Sequence, residues 1–400
     1  MRDYDIIIIG GGAAGFFTAI NAAERLPDAR IAILERGKEV LNKVRISGGG
    51  RCNVTHAEFV PEELIKNYPR GKKELRGPFH KFMTGDTISW FEARGVKLKI
   101  EEDGRIFPQS NSSQTIIDCF QNEVSRLGVE VLTRQVVQEL EPASDTWIVK
   151  TQSDTFRGRK LVVASGSNPK IWSLLKSLGH SIIPPVPSLF TFNIDDDRIK
   201  DLPGISTNVR IQVMEEVLES RGPLLITHWG MSGPAILRLS AWGARELSDK
   251  KEFSIKINWL EEIHENEAFS QLRVMKQEMG KRRVVNKPQF GLPKRLWQSL
   301  CACSAINPDL RWAELTREQL DSLAVELTAG IFKVKGKSTF KEEFVTAGGI
   351  DLKEIDFRTF QSKILPNLYM AGEVLNIDAI TGGFNFQNAW TGGYLVSQAL

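Results

Sequence analysis

A glycine-rich turn between a buried strand and a helix, close to the N-terminus, constrains this chain more than any other feature. Residues 4–9 (YDIIII) form a continuous apolar run typical of a central parallel strand, and the turn Gly10–Gly15 follows at once. Its G-x-G-x-x-G spacing permits a tight turn, close approach to a pyrophosphate and close packing of helix on strand. A second apolar run at 30–35 ends in Glu35, whose carboxylate can accept hydrogen bonds from both ribose hydroxyls. This order predicts a βαβ dinucleotide-binding unit.

A second glycine-dense loop runs from Lys43 to Asn53 and helps to choose between NAD and FAD, which the first motif alone does not separate. Glycines allow close backbone approach, and N–H groups in such loops form anion-binding nests. If the loop binds a cofactor, its cations can neutralise a diphosphate or stabilise a reduced flavin. The alternative interpretation is an ordinary basic loop on the solvated surface. The candidates here, with the basic residue after Glu35, are Arg36, Lys43, Ser47, Gly48, Gly49, Gly50, Arg51, Cys52 and Asn53.

The C-terminal region carries a third candidate element. Residues 368–371 are typical of a strand, which runs into Gly372 and Glu373, and the pair Gly382-Gly383 then precedes a helix. The acid can reach the ribityl chain of a long cofactor, and the positive end of the helix favours electron density on the flavin. The alternative is an ordinary strand end and a glycine-opened helix. Because one βαβ unit covers only the adenosine and pyrophosphate of FAD, we expect this segment to fold back onto the N-terminal turn.

The motifs together resemble a bacterial flavoprotein family commonly described as NAD(P)/FAD-dependent oxidoreductases, which includes aminoacetone oxidase and a bile-acid-reductase-like branch. They are GGGAAG, KVRISGGGRCNVT, THWGMSGPAILRLS, VTAGGI and MAGEVLNIDAITGGFNFQNAW, in the family's order and across essentially the whole chain. The resemblance implies an α/β fold with a Rossmann-like, two-dinucleotide-fold FAD domain related to fumarate reductases and ketosteroid dehydrogenases. It also implies an inserted β-barrel-like domain that carries a small helical domain.

The resemblance further implies which residues contact FAD. Glu35 is expected on the adenosine ribose, and the Ser47–Asn53 loop along the flavin. The remaining implied contacts are Gly10, Gly12, Ala13, Ala14 and Gly15 on the pyrophosphate, Val137 at the adenine edge through its backbone, Ala164, Ser165 and Gly166 near the adenosine, and Gly372, Glu373, Asp378, Gly382, Gly383, Phe384 and Asn385 around the ribityl and isoalloxazine groups. Asn376 and Ala379 depart from the pattern of many relatives, which leaves Asp378 as the retained acid.

The order of patterns predicts a discontinuous domain arrangement. Helical and strand-like segments up to residue 165 are followed by a proline-rich stretch at 184–187, interpreted as a linker because consecutive prolines do not fit regular elements. Residues 41–110 are expected to be irregular. We predict an FAD-binding domain over 1–187 and 340–400, a β-rich insertion over 188–258 and 331–339, and a helical subdomain over 259–330.

Composition excludes several classes of protein. The net charge is +3 with acids and bases mixed along the chain, which argues against a nucleic-acid partner, and no window is apolar enough for a transmembrane helix. The four cysteines are too few and scattered for a disulfide framework, and no metal site is expected. We therefore expect a cytoplasmic protein without membrane association. Its oligomeric state is not determined by the sequence, and a monomer is compatible with it.

The predicted function is an FAD-dependent oxidoreductase that acts on a small organic substrate, with the flavin reduced by transiently bound NAD(P)H or by the substrate itself. A resident nicotinamide domain is not expected, because no second G-x-G-x-x-G follows a strand after residue 50. One alternative is an amine oxidase that uses oxygen. Another is an FAD-containing protein that binds or modifies RNA through the basic segment 276–295. His228 and Trp229 are interpreted as structural in preference to substrate-facing residues, and no catalytic residue is assigned.

Overall fold

A computed structural model describes residues 1–338 and 345–400 and divides the chain into two compact units. One comprises Met1–Val186 with Lys341–Leu400, and the other comprises Pro187–Phe340. Up to the first boundary the elements are β1 (Arg2–Ile9), α1 (Ala13–Arg25), β2 (Ile31–Leu34), α2 (Asn42–Gly50), β3 (Thr55–His56), α3 (Pro61–Leu64), α4 (Lys72–Phe79), α5 (Thr84–Glu92), β4 (Leu98–Ile100), β5 (Arg105–Pro108), α6 (Gln114–Arg126), β6 (Glu130–Leu132), β7 (Val137–Ala143), β8 (Thr146–Thr151), β9 (Thr155–Val163), α7 (Pro169–Ser177) and β10 (Ile182–Ser188).

The second unit and the C-terminal part of the first complete the chain. The second unit contains β11 (Thr191–Asn193), β12 (Ser206–Val213), β13 (Glu219–Thr227), β14 (Gly230–Ser232), α8 (Pro234–Trp242), α9 (Ala244–Ser248), β15 (Phe253–Asn258), α10 (Glu265–Glu278), α11 (Lys294–Cys303), α12 (Arg317–Ala329), β16 (Gly330–Val334) and β17 (Gly336–Ser338). The C-terminal part contains β18 (Val345–Ile350), β19 (Ile355–Asp356), β20 (Gln361–Ser362), β21 (Leu368–Met370) and α13 (Phe384–Ala399). The predicted domain boundary at 339–340 lies outside the described residues.

The main sheet of the first unit has the order β19-β20-β21-β9-β1-β2-β6, with β7 and β8 attached beside β9. Strand β1 pairs in parallel with β2 and β9, so that Ile8 lies between Ile33 and Val162. The continuous apolar run of β1 is explained by this central position, because both of its faces are covered. Strand β21 joins the other side of β9 in parallel, which brings the C-terminal segment to the same sheet edge as the glycine turn. The predicted α/β class with a Rossmann-like domain is confirmed.

Residues 41–110 are not irregular, as the sequence analysis expected, but contain helices α2 to α5. These helices are short and carry few regularly spaced apolar residues, so their periodicity is weak. They are held by buried aromatic side chains such as Phe79 and Phe91, both 0% exposed. Phe91 packs on Trp390 of the last helix, with ring centroids 5.9 Å apart. Tertiary packing therefore determines the structure of this stretch.

The proline-rich stretch 184–187 is part of strand β10, so its interpretation as a linker outside regular structure was wrong. This strand forms a two-stranded sheet with β18. Prolines lack an N–H donor but are tolerated where a strand pairs on one side only. The boundary between the two compact units nevertheless falls inside this stretch, after Val186.

The second unit is built on an antiparallel sheet with the order β16-β15-β12-β13-β14-β11-β17. One hydrophobic cluster joins residues of the sheet, such as Ile255 and Phe332, to residues of helices α10 to α12. Trp297 and Trp312 stack within this cluster with centroids 6.4 Å apart. The strands and helices of this unit thus share a single core.

Candidate functional site

The turn before α1 contains two glycines that the fold requires and one that it does not. A Cβ at Gly10 would lie 2.3 Å from the carbonyl oxygen of Ala164, and one at Gly15 would lie 2.0 Å from that of Gly10. Gly12 differs, because a Cβ there would have no atom within 4 Å. Helix α1 starts after Gly12 without a side-chain cap, so the N–H groups of its first turn, including those of Ala13 and Ala14, are directed to this open space. A free helix N-terminus of this kind binds anions.

Glu35 is fixed at the carboxyl end of β2 by two backbone donors. Its Oε2 accepts a hydrogen bond from the Gly11 N–H at 2.8 Å, and its Oε1 accepts one from the Gly37 N–H at 2.7 Å. Each carboxylate oxygen keeps a lone pair for a further donor, such as a ribose hydroxyl. The neighbouring Arg36 is exposed. The Gln135 N–H donates to the backbone oxygen of Glu35 at 2.8 Å, and two residues later Val137 begins β7.

The loop at the end of α2 combines exposed glycines with side chains that already have partners. The helical conformation breaks at Ser47, and Gly48 and Gly49 adopt left-handed dihedral angles, a geometry that directs successive N–H groups into one concavity. A Cβ at Gly49 or Gly50 would meet no atom within 4 Å. Arg51, which the sequence analysis considered as a phosphate or flavin cation, pairs with Glu101 at 2.6 Å. The backbone of this loop is therefore open to a ligand, whereas the Arg51 side chain is already paired with Glu101.

Cys52 in the same loop has no features of a redox thiol. Its side chain is 0% exposed, and burial raises its pKa to about 12. The thiolate, which is the reactive form, is therefore disfavoured at neutral pH. The adjacent Asn53 is also buried.

Three distant parts of the chain meet beside the first turn of α1. The Ala371 N–H donates to the Val163 backbone oxygen at 3.1 Å, and Gly372 then passes the Ala14 side chain. Glu373 forms an ion pair with Lys43, and its other oxygen accepts a hydrogen bond from the Thr346 N–H at 3.0 Å. The turn containing Ala164, Ser165 and Gly166 follows β9 at the same edge, with a Cβ at Gly166 lying 3.8 Å from Glu373 Oε2.

The start of α13 is locked onto β3. Gly383 has a φ of +94°, and a Cβ there would lie 2.6 Å from the backbone of Thr55, so a glycine is required. The Asn385 side chain closes the preceding loop, accepting from the Ala379 N–H at 3.0 Å and donating to its carbonyl at 3.1 Å. Gln387 accepts a hydrogen bond from the Thr55 hydroxyl at 2.6 Å. Because α13 has no side-chain cap, its first N–H groups are available to a ligand.

Phe384 and His56 form a stacked pair beside this helix start, with ring centroids 4.6 Å apart. The backbone oxygen of Phe384 accepts a hydrogen bond from the Tyr68 hydroxyl at 2.6 Å. Burial is the main cause that lowers the pKa of His56, so its neutral form is favoured. A Cβ at Gly382 would meet both the Phe384 and the His56 rings.

Asp378 is completely buried and its two carboxylate oxygens both bind the guanidinium of Arg70. The distance from Arg70 Nε to Asp378 Oδ1 is 2.5 Å. The two residues also form an isolated antiparallel bridge through their backbones. Asp378 thus anchors the loop before α13, and its carboxylate is directed to Arg70.

These features allow a test of whether FAD fits. Within residues 1–338 and 345–400, the buried Oδ1 atoms of Asn53 and Asn388 have no hydrogen-bond partner. Buried polar atoms of this kind need a partner, which a bound ligand can supply. Two uncapped helix N-termini, a glycine nest and the Glu35 carboxylate lie in the same unit. The donor and acceptor groups therefore fit a long, anionic dinucleotide.

Sequence reasoning did not identify several residues that build this region. Arg70 and Tyr68 lie in a stretch without a recognisable motif, so no local signal indicated that they contact the 378–388 segment. His56 directly follows the CNVT motif, and Asn388 lies within the last quoted motif, so both could have been considered. Among the described residues, no group of three His, Cys, Asp or Glu side chains could hold a metal ion. In the same ranges, no helix has the length and apolar character to cross a bilayer.

Comparisons with known proteins agree with this geometry. The family model described as HI0933-like protein Rossmann domain matches residues 4–399. A 3-dehydro-bile acid delta(4,6)-reductase of Clostridium scindens is 27% identical, with 98% of each chain covered. A ribosomal RNA dihydrouridine synthase of Escherichia coli is 28% identical over 100% of this chain and 98% of its own.

A solved structure shares the fold over the same length. A 3-ketosteroid-delta4-(5alpha)-dehydrogenase of Rhodococcus jostii superposes with a TM-score of 0.52, covering 99% of this chain and 97% of its own at 12% identity. At that identity the likeness concerns the fold alone. The family match, in contrast, spans nearly the whole chain, as the motif resemblance predicted. The chain therefore belongs to the HI0933-like Rossmann-domain family, and it is an FAD-dependent oxidoreductase.

Proposed function

We propose that this protein reduces a carbon–carbon double bond conjugated with a carbonyl group. The structural observation that supports this most is that α1 and α13, two helices with uncapped N-termini, lie in one compact unit and pack against each other. Gly393 of α13 packs against the backbone oxygen of Ala14 in α1, where a Cβ would lie 3.0 Å away. One end of such a site suits a pyrophosphate and the other a flavin that gains negative charge on reduction.

The two relatives described above support the choice of double-bond reduction. The names of both describe the same change, because a delta(4,6)-reductase of a 3-dehydro steroid and a dihydrouridine synthase each saturate a double bond conjugated with a carbonyl. The substrates differ greatly in size, so the shared property is the reacting group. We favour this reaction over oxygen-dependent amine oxidation, for which no described feature argues.

In the proposed site, each group of residues binds a different part of FAD. The first turn of α1, with Gly12, Ala13 and Ala14, holds the pyrophosphate, and Glu35 holds the adenosine ribose. The Gly48–Gly50 nest and the start of α13 would hold the flavin, and Glu373, which pairs with Lys43, would hold the ribityl chain. When bound, FAD would supply the hydride for the substrate. The buried Cys52 thiol takes no part, since its raised pKa disfavours the thiolate.

The electron donor and the domain plan are part of the same proposal. We propose that NAD(P)H reduces the flavin by binding transiently, since FAD would take up the glycine turn before α1. The FAD-binding domain comprises residues 1–187 and 340–400, and the β-rich insertion and the helical subdomain lie between them. The shared core of sheet and helices suggests that the last two fold together.

The experiment is anaerobic reduction of the purified holoprotein with NADPH or NADH, followed by addition of 4-androstene-3,17-dione or an oligouridylate. Return of the oxidised flavin spectrum and a product heavier by two hydrogen atoms are expected for at least one acceptor. The matched control is the corresponding saturated diketone, which should leave the flavin reduced. Reduction of the flavin by amines, together with reoxidation by oxygen alone and no saturated product, would instead support an amine oxidase.

A further inference from the structure

The second unit has a cleft that the FAD site does not use. It has a volume of about 470 Å³, which is in the range of small-molecule sites. Leu225 in this cleft is 37% exposed, although most large apolar side chains of the unit are buried. The cleft therefore offers an accessible apolar surface beside one guanidinium. Its lining includes Pro203, Gly204, Leu225, Thr227, His228 and Arg295.

The Thr227 hydroxyl at this cleft is a buried polar group without a partner. Its Oγ1 atom is shielded from solvent and forms no hydrogen bond with any residue that the structure describes. Side chains alternate along β13, so that Leu224 and Ile226 are buried in the core whereas Leu225 and Thr227 share the opposite face. An unpaired buried hydroxyl costs free energy, which a ligand can recover by accepting a hydrogen bond from it.

Arg295 is held in place at the start of α11. Leu292 and Leu296, on either side of it, are buried in the core of the unit, so the backbone that carries Arg295 is anchored. Its guanidinium donates a hydrogen bond to the backbone oxygen of Asp201. A guanidinium carries five N–H donors, so further donors remain for an anion in the cleft.

The wall that contains Pro203 and Gly204 is fixed to β13 through the backbone. The Gly204 N–H donates to the Ile226 carbonyl oxygen at 2.9 Å, and the Ile226 N–H donates to the Ile205 carbonyl oxygen at 2.9 Å. Leu202, beside this wall, is buried in the same core. The cleft is thus formed before a ligand arrives, which lowers the entropic cost of binding.

We propose that this cleft binds a small organic anion in which one carboxylate adjoins a flat apolar body. The carboxylate accepts hydrogen bonds from the Arg295 guanidinium and the Thr227 hydroxyl, and the apolar body covers Leu225 and Pro203. A single negative charge is favoured over a polyanion, because Arg295 is the one Lys or Arg side chain among the described residues that line the cleft. The site recognises a carboxylate and not a conjugated carbonyl, so this proposal does not depend on the double-bond reduction proposed above.

The test is isothermal titration calorimetry of the purified FAD-loaded protein with 2-naphthoate, a flat bicyclic carboxylate, as the probe. We expect saturable binding at one site per chain. The neutral 2-naphthamide should bind at least about 5-fold more weakly, because it lacks the charge that pairs with the guanidinium. Inorganic phosphate, which has no apolar body, should not displace the naphthoate. Added salt should weaken the binding of naphthoate but not that of naphthamide, since salt screens exposed charges.

Two substitutions with matched controls locate the probe. Arg295→Gln should weaken naphthoate binding by about 5- to 15-fold. Lys294→Gln, which changes the exposed neighbour outside the cleft, should bind naphthoate as the wild type does. Thr227→Val should weaken binding by about 2- to 10-fold, and Thr207→Val, on the paired strand β12, should not weaken it.

The stability of the free protein gives a second measurement for Thr227. Because its hydroxyl has no partner, Thr227→Val should leave the thermal midpoint unchanged or raise it, so weaker naphthoate binding would not reflect unfolding. Unchanged flavin spectra would show that each variant is folded. Absence of saturable naphthoate binding, equal affinity for naphthamide, or wild-type naphthoate affinity in either Arg295→Gln or Thr227→Val would each overturn the proposal.

Discussion

Changing Gly12 to valine tests whether the turn before α1 faces a bound dinucleotide. Gly12 has φ −98° and ψ −168°, an extended conformation that any residue adopts, and a Cβ there would have no atom within 4 Å. The protein itself therefore has room for the larger side chain. Gly15 offers the contrast, since a Cβ there would lie 2.0 Å from the Gly10 oxygen and disturb the turn with or without a cofactor.

The expected magnitudes for Gly12→Val differ for stability and for binding. Valine is less favourable than glycine before a helix, so we expect the apoprotein to lose about 1 kcal/mol, or about 2–4 °C in Tm. The side chain occupies the space assigned to the pyrophosphate. Loss of two charge-assisted hydrogen bonds from the first turn of α1, at about 1.5–3 kcal/mol each, predicts FAD binding weaker by a factor of about 10² to 10⁴.

The assay is the amount of FAD released per chain on heating, read together with the visible spectrum and thermal unfolding by circular dichroism. Gly85→Val is the matched control, because a Cβ at Gly85 in α5 would also have no atom within 4 Å and this residue lies outside the proposed site. This control should retain full FAD occupancy. A folded Gly12→Val protein that also keeps full occupancy would refute the reasoning.

Three further predictions follow from packing and burial. Gly383→Ala places a Cβ 2.6 Å from the Thr55 backbone at a φ of +94°, so the free energy of unfolding in urea should fall by at least about 2 kcal/mol. An unfolding midpoint equal to that of the wild type would contradict this contact. Arg70→Ala leaves the fully buried Asp378 without its guanidinium partner, so the free energy of unfolding should fall by about 3–5 kcal/mol. It should fall less in the double variant Arg70→Met/Asp378→Leu, and equal losses in the two variants would argue against the pair. Because the pKa of Cys52 is about 12 in the folded state, the unfolded state binds fewer protons above pH 9, and this thiol should lower stability by about 1.4 kcal/mol per pH unit there. Cys52→Ala should make the fall in stability with pH shallower by that amount, and an unchanged slope would show that the thiol ionises equally in both states.

The sequence was most informative where short-range patterns have a single structural solution. A buried run, a glycine turn, a helix and a strand ending in Glu35 are local in sequence, and hydrogen bonding and close packing leave few alternatives to a βαβ unit. The Gly372-Glu373 and Gly382-Gly383 pairs likewise indicated a strand end and a helix start, and these lie where expected. The identity of the cofactor-binding residues remains a prediction that the binding experiments address.

Other features depended on contacts that no local pattern encodes. The pairing of Arg70 with Asp378 and the docking of Gly383 on Thr55 join positions more than 300 residues apart, and the prolines of β10 form a strand because β18 lies beside them. The sequence by itself determined the N-terminal βαβ unit, since its glycines and apolar runs act over a few residues. Only the tertiary structure decided how the C-terminal helix packs against α1 and β3, because burial and steric fit between distant segments set that arrangement.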